Sequence, residues 1–386
     1  MRILHVTHDW KWTGPAEPML NLAVALRERG HELAIACPEP PSPERRSLAG
    51  EARVAALEPA LALAGEGGPF GLGASADVAA LRELAESFRP DVVHAWHTRD
   101  HLLAWRALRA RRRRGLSSLV RSHRSAETIA GTPWNRWLFG PACDGLLCPS
   151  PETARRNARL RGGRAIAGHF GAVDSRRFFP KAPDPGVRAA LGLAPEHRVV
   201  GIVARAQPHR RFDLLLEAAR RLFAVVPEAR LLIVGRGTRR GEVAEAPARE
   251  LGIADRVIFA GYRNQDYAEV LRQIEVFSFL VPGSDGTCRA LLEAAACAIP
   301  AVVSERGALP EIVLHRQTGL VVPEDAGALA SAWQELLSDP ERRADVGRAA
   351  YERARAEFTP ERLADTVEAL YGRVRGTPEA ADPDGG

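Results

Sequence analysis

Long apolar runs are missing from this chain of 386 residues: nothing approaches the roughly 18 consecutive residues that cross a bilayer as a helix. The opening MRILHVTHDW also lacks the apolar centre of a secretory signal, so a cytoplasmic location is expected. Cysteine is scarce. Cys37, Cys143, Cys148, Cys288 and Cys297 are odd in number and show neither CxxC pairing nor ligand spacing, which supports neither a disulfide framework nor a zinc site. Lysine is nearly absent, with only Lys11 and Lys181 among 53 basic residues. A GC-rich coding bias toward Arg and Ala accounts for that, so the Arg preference carries little functional weight. Low complexity is confined to residues 38–50, residues 64–75 and the last dozen residues. With 46% hydrophobic residues, and 34 Gly and 28 Pro dispersed along the chain, a fibrous or disordered protein is excluded and two ordinary cores fit.

Charge is uneven. Residues 1–178 carry 26 Lys+Arg against 18 Asp+Glu, a net of +8, and the remainder carries 27 against 30, a net of −3. Within residues 99–177 the balance is 17 basic to 5 acidic, peaking at Arg111–Arg114. The N-terminal half is therefore suited to an anionic surface or substrate, although a solvated Arg-rich helix face gives the same count.

Short β-branched runs alternate with amphipathic helical stretches in two series. The first contains RILHVTH, ELAIAC, DVVHAW, SLVRSH and GLLCPS; the second contains RVVGIVA, RLLIVG, RVIFAG, EVFSFL, PAVVS and TGLVV. This rhythm predicts parallel strands with helical crossovers, hence an α/β chain of two doubly wound, Rossmann-like domains. The expected boundaries are 1–178 for the first domain, 179–196 for a Pro- and Gly-rich linker and 197–358 for the second domain. Residues 359–374 form a last helix and 375–386 a disordered tail. Ligands of such sheets lie beyond the carboxyl ends of the strands, so the cleft between the domains is the expected site.

Three turns carry candidate phosphate chemistry. Gly14 precedes a helix, where an anion would meet the partial positive charge of the helix start, or where the turn simply needs an unusual φ. Arg205, Arg210 and Arg211 follow the strand RVVGIVA, and cations at a helix start oppose its dipole unless an anion joins them. Gly235 and Gly237 follow RLLIVG and permit close backbone approach. The densest signal is VPGSDGTCRALLEAAACAIPAVVS, in which loop amides at Gly286 and Thr287 can cradle phosphate. Asp285 and Glu293 supply acceptors for sugar hydroxyls, with capping and a solvated helix face as their plainer readings. Glu293 sits on a mostly apolar helix, where burial without a partner is costly.

In order and spacing, the segments RERGHELAIAC, DVVHAW, FGAVDSRRF, GIVARAQPHRRFDLLLEAA, LLIVGRG, VIFAGY and LLEAAACAIPAVVSERGALPEIV followed by TGLVVP resemble glycosyltransferase family 4. The resemblance runs from the first strand to about Tyr371. It implies the GT-B fold, two Rossmann-like domains facing a cleft, with the final helix crossing back to the first domain. It also implies a retaining, metal-independent hexosyltransferase acting on a nucleotide-sugar donor. By the same resemblance, Glu293 binds the ribose hydroxyls, Asp285 the sugar hydroxyls, and Gly286 and Thr287 the phosphates through their amides. Arg205 and Arg210 hold the pyrophosphate, and the Gly14 loop closes over it. His123 is the cleft histidine, with His97 as second choice on the acceptor side. His94 fits a core position equally well, and His97 and His101 fit the surface. Thr13-Gly14-Pro15, Arg210-Arg211 and Asp285-Gly286-Thr287-Cys288 stand where the family more often has Gly-Gly, Lys-Gly and Glu-Gly-Phe-Gly. Each exchange keeps the charge or an approachable backbone while changing reach and geometry.

No cofactor or metal is expected, since the sugar nucleotide is a substrate and no convincing DxD-type cluster is present; Asp184 lies in the linker. The acceptor is expected to be a glycan, a lipid-linked molecule or a small molecule. The alternation Trp134-Asn135-Arg136-Trp137-Leu138-Phe139 fits peripheral contact with anionic lipid at the inner face of the cell membrane and cell-envelope polysaccharide synthesis; a short core-facing helix fits it equally. Nucleic acid is not an expected partner, because no binding module accompanies the basic excess. A sugar-nucleotide epimerase of the same fold and a non-catalytic nucleotide-sugar-binding protein are the competing readings.

Overall fold

The computed structural model describes residues 1–12, 16–64, 72–282 and 288–376. Among them the chain divides into two compact units. Unit 1 holds the chain up to Ala172 and again from Pro360; unit 2 holds the described residues from Val173 to Thr359.

Unit 1 alternates β1 (Arg2–Val6), α1 (Ala16–Glu28), β2 (Glu32–Cys37), α2 (Leu48–Val54), β3 (Leu61–Ala62), α3 (Leu72–Phe88), β4 (Val92–Ala95), α4 (Thr98–Arg113), β5 (Ser118–Ser122), α5 (Pro133–Leu138), β6 (Gly145–Cys148), α6 (Pro151–Arg161) and β7 (Ile166–Gly168). Its strands pair in parallel in the order β3-β2-β1-β4-β5-β6-β7, with Ile3 opposite Leu33 on one side and Val92 on the other. The order reverses at β1/β4. Strands β4, β5 and β6 are buried along their whole length, which explains their mainly apolar or small-residue character, broken by the buried His94 and Arg121.

Unit 2 begins with α7 (Pro185–Ala190) and continues with β8 (Arg198–Val203), α8 (Phe212–Val225), β9 (Ala229–Val234), a π-helical turn (Gly241–Glu245) into α9 (Ala246–Glu250), β10 (Val257–Gly261), α10 (Tyr267–Leu271), β11 (Val276–Phe279), α11 (Arg289–Ala296), β12 (Ala301–Ser304), α12 (Leu309–Ile312), β13 (Gly319–Val322), α13 (Ala326–Ser338) and α14 (Pro340–Glu357). The parallel order is β10-β9-β8-β11-β12-β13, reversing at β8/β11. Its core gathers Phe212, Leu215 and Leu222 of α8 with Trp333, Leu329 and Leu336 of α13 over the central strands. Close approach fixes several glycines: a Cβ on Gly347 of α14 would lie 2.2 Å from the Ala298 carbonyl oxygen. Each unit thus carries its own doubly wound parallel sheet.

The segment 179–196 is more than a tether. Asp184 caps α7 by accepting from the amide of Gly186 at 2.7 Å, and Pro185 stands at the first helical position. The segment is fastened within unit 2: Arg272 Nε donates to the Phe179 carbonyl at 3.1 Å, Lys181 pairs with Glu269 at 3.0 Å, and Gln273 donates to the Asp184 carbonyl at 3.1 Å. The Asp-Pro pair that reads as a linker signal is a helix start.

The final helix α15 (Pro360–Arg375) packs on unit 1. Leu363, Ala364, Val367, Leu370 and Tyr371 join Ile3, Leu22, Leu26 and Val92 in one core. Glu368 accepts from His31 at 2.5 Å and pairs with Arg29. Beneath the helix, His94 is wholly buried between Tyr371 Oη at 2.7 Å and Ser122 Oγ at 2.8 Å. His5, also buried, accepts from Trp96 Nε1 at 3.1 Å. Burial holds His94 well below the usual histidine range and pushes His5 down to about 3, so both are neutral core groups. His94 is therefore a structural histidine. His101 departs from its expected surface position: it is fully buried, with Nε2 3.0 Å from the Ala142 carbonyl oxygen.

Candidate functional site

In unit 2, Arg205 and Arg210 follow β8 at the β8/β11 reversal, the kind of crevice where doubly wound sheets bind ligands. β8 runs out into Arg205 and a short 3-10 turn at Pro208–Arg210; β11 runs out through Val281 and Pro282. Arg210 spans the two exits, its Nη1 donating to the Val281 carbonyl at 3.1 Å and the Pro282 carbonyl at 2.9 Å. The guanidinium is thereby fixed at the switch point. Arg205 is exposed at the end of β8.

Arg211 does not join them. It caps α8 in the left-handed region (φ 57°), with Nη1 2.6 Å from Glu324 Oε2, and Glu324 also accepts from Arg306 Nε at 2.6 Å. The anion that a cation at this helix start requires is supplied by the protein itself, which removes Arg211 from the group of three expected to converge.

Gly235 and Gly237 serve a backbone contact. Gly235 has φ 139°, and a Cβ there would lie 2.2 Å from the Ala204 carbonyl oxygen; on Gly237 it would lie 2.4 Å from that of Ala206. Glycine lets the exit of β9 press against the exit of β8, which shapes the floor on which Arg205 stands. Gly14, Asp285, Gly286 and Thr287 lie outside the described residues.

α11 begins after Cys288, itself left-handed at φ 49°, so the helix start faces the end of β11. The first turn of the helix is enough to bring Glu293 into the interior, 4% exposed. Its Oε2 accepts from Tyr267 Oη of α10 at 2.6 Å, and its Oε1 lies 3.4 Å from Arg289 Nε. Tyr267 is the partner that makes burial tolerable; its phenol is held well above the usual range by burial, then by the Glu293 charge and hydrogen bond, and stays a proton donor. Nothing in the sequence singles out Tyr267, which lies in an ordinary polar stretch 26 positions away.

In unit 1 the histidines lie at strand exits. His123 ends β5 with its amide on the Leu147 carbonyl at 2.7 Å and its ring edge-on to Phe139 at 5.8 Å. Its Nε2 is buried with no hydrogen-bond partner among the described residues. Burial pushes its pKa down to about 4, so the ring is neutral and able to donate to or accept from a hydroxyl. His97 is buried rather than superficial, at the start of α4, with Nε2 3.0 Å from Asp9 Oδ2, and burial pushes it down to about 3. The sequence reading passes over its neighbour His8, whose Nδ1 meets the wholly buried Asp100 at 2.8 Å. Burial opposes the charge on His8, but the hydrogen bond and charge of Asp100 outweigh it and raise the pKa. The spacing of 92 residues hides this pair from any local pattern.

Residues 14–166 match the family described as Glycosyltransferase Family 4, and residues 185–353 match Glycosyl transferases group 1. The chain is 33% identical over 257 residues to a GDP-mannose-dependent alpha-(1-6)-phosphatidylinositol monomannoside mannosyltransferase of Mycolicibacterium smegmatis, covering 62% of this chain and 65% of that one. It is 30% identical over 262 residues to a GDP-mannose-dependent monoacylated alpha-(1-6)-phosphatidylinositol monomannoside mannosyltransferase of Corynebacterium glutamicum, covering 64% and 67%. Its matches thus span about two thirds of these relatives' lengths. Anabaena HepE, solved with UDP and glucose, shares the fold with a TM-score of 0.77 at 19% identity, over 96% of this chain and 98% of that chain. Matches to both halves of the family pattern, in the same order as the two sheets, place this chain in glycosyltransferase family 4.

Proposed function

We propose that this protein transfers a hexosyl group from a nucleotide-sugar donor to a hydroxyl of a glycan, lipid-linked or small-molecule acceptor, with retention of configuration and no divalent ion at the diphosphate. The observation that carries the reading is the β8/β11 switch point, where Arg210 is fixed across both strand exits, together with the buried carboxylate of Glu293 on α11. Arg205 and Arg210, with the amides of Gly286 and Thr287, would meet the diphosphate charge; Glu293 and Asp285 would accept hydrogen bonds from donor hydroxyls. The acceptor oxygen attacks the anomeric carbon as the bond to phosphate breaks, and the departing phosphate takes the acceptor proton. Such a reaction needs positioning and charge stabilisation more than a separate nucleophile. His123, neutral and with a buried Nε2, would meet the acceptor, with His97 as the alternative. Gly14 would close over the diphosphate.

The printed specificity of the two relatives makes GDP-mannose the first donor to try and a phosphatidylinositol mannoside the first acceptor. The protein is incubated with GDP-, UDP- and ADP-sugars, with and without acceptor. Acceptor-stimulated release of nucleoside diphosphate, with a glycosylated product of unchanged anomeric configuration, is the expected result. A new sugar nucleotide without release would establish an epimerase instead, and binding with neither product would establish a non-catalytic binder.

A lipid-linked acceptor also fits one surface of unit 1. Trp134, 48% exposed, contacts Trp137 at 5.0 Å, which meets Trp105 edge-on at 5.0 Å; Arg109 lies over Trp105, and Arg113, Arg114 and Arg136 are exposed. Trp137 also packs on the small core containing Leu138 and Phe139, so the short helix faces both ways. Indoles beside guanidiniums suit the headgroup layer of an anionic membrane at the inner face of the cell membrane. In flotation with vesicles of anionic phospholipid at low salt, the protein should rise with the vesicles, and Trp134→Ala should reduce the bound fraction severalfold. Absence from the vesicle layer would remove membrane contact from the proposal.

A further inference from the structure

At the strand reversal of unit 1, between β1 and β4, three side chains of metal-ligating chemistry meet. His8, His97 and Asp100 each offer one ligand atom, and these atoms all lie within 4.8 Å of one another. His8 follows β1, while His97 caps α4 and Asp100 lies in its first turn, so the two strand exits that open the switch point supply the whole set. The two imidazoles touch edge-on with ring centres 4.4 Å apart.

A second observation points to a missing occupant. Asp100 is completely buried, yet its Oδ2 has no hydrogen-bond partner among the described residues; only Oδ1 is engaged, by His8. Nε2 of the buried His97 likewise lacks hydrogen-bond geometry, although Asp9 Oδ2 is 3.0 Å away. A buried carboxylate oxygen left without a donor is costly. Of the neighbouring guanidiniums, Arg99 bonds Asp77 at 2.7 Å, and Arg121 bonds Thr98 Oγ1 at 3.0 Å and the Ser122 carbonyl at 2.8 Å while its charge also acts on Asp100.

We propose that His8, His97 and Asp100 form a binding site for one transition-metal dication of the zinc type. Two imidazole nitrogens with a carboxylate oxygen suit such an ion; magnesium and calcium prefer oxygen alone. Ligand atoms around one tetrahedral zinc stand about 3.3 Å apart, so closing the cluster takes a shift on the order of 1 Å. Three protein ligands leave a fourth position for an oxygen of water or of a bound molecule, at the point of the sheet where ligands collect. Asp9, 36% exposed beside His97, stands at the rim as a further carboxylate. The site is built wholly from residues of unit 1, and its existence does not depend on the reaction proposed for unit 2.

The full chain, freed of metal with a chelator, is titrated with Zn2+ by calorimetry and with Co2+ by visible absorption. The expected result is saturable uptake of one equivalent, with a Co2+ ligand-field band, and at least about tenfold weaker binding in His8→Gln and in His97→Gln. Metal-free thermal unfolding of each variant shows whether it remains folded, and Asp100→Asn provides a third variant if one does not. Absence of saturable uptake, or uptake unchanged by both histidine substitutions, would overturn the proposal.

Discussion

Glu293→Ala should abolish measurable binding of the nucleotide-sugar donor, and Glu293→Gln should weaken it by about tenfold to a hundredfold. A carboxylate accepting from a hydroxyl contributes about 1.5–3 kcal/mol, and each 1.4 kcal/mol is a factor of ten in affinity. The two substitutions separate ligand binding from structure. Glu293 already accepts from the buried Tyr267 hydroxyl at 2.6 Å, so alanine also strands a buried donor, whereas glutamine leaves Tyr267 an oxygen to bond and removes only the charge. Tyr267→Phe completes the comparison by deleting the internal bond and keeping the carboxylate. Calorimetric titration with donor, alongside urea unfolding, should show Glu293→Gln losing affinity at nearly unchanged stability and Tyr267→Phe losing stability first. Equal affinities in the wild type and Glu293→Gln would reduce Glu293 to a strut between α10 and α11.

Arg210→Ala should lower kcat by about a hundredfold, the size expected when one fixed charge is removed from a developing anion. The guanidinium is held before any ligand arrives, by the Val281 and Pro282 carbonyls, so little rearrangement is required of it during reaction. Arg210→Lys keeps the charge but loses the planar guanidinium with its several donors, and should fall between wild type and alanine. Arg211→Ala is the informative neighbour. Its partner is Glu324, and a partly exposed pair of this kind contributes about 0–1 kcal/mol to stability, so turnover should change little. Steady-state kinetics of the three variants check the assignment; a loss in Arg211→Ala equal to that in Arg210→Ala would return both arginines to the same role.

The two sheets were readable because a parallel strand covered on both faces reads as a near-continuous apolar run, as in GLLC of β6 and the LLIV stretch of β9. Glu293 stood out for the converse reason, as a charge on an apolar helix. What escaped was long-range or backbone-borne. The Glu293–Tyr267 and His8–Asp100 pairs join positions 26 and 92 residues apart, and no local window contains both members. Arg211 looked like Arg210 until the turn put one in the left-handed region against Glu324 and sent the other across to β11. The lone GxG of Gly235 and Gly237 had two meanings, and the approach to Ala204 and Ala206 supplies the backbone one. In the first half, α2 starts at Leu48 after a Pro-rich stretch because Ser47 caps it, accepting from the Gly50 amide at 3.0 Å; composition alone masks such a start.

The central claim is that the β8/β11 crevice grips a diphosphate through Arg210 with Glu293 close by on the sugar-nucleotide side. Phosphorus NMR of GDP-mannose and UDP-glucose titrated with the protein addresses it directly, because the β-phosphate signal reports its own surroundings. The account predicts that wild-type protein shifts and broadens that signal for its preferred donor, and that Arg210→Ala largely removes the effect. Signals that stay unperturbed for every nucleotide sugar, or that respond to Arg210→Ala as they do to wild type, would contradict it.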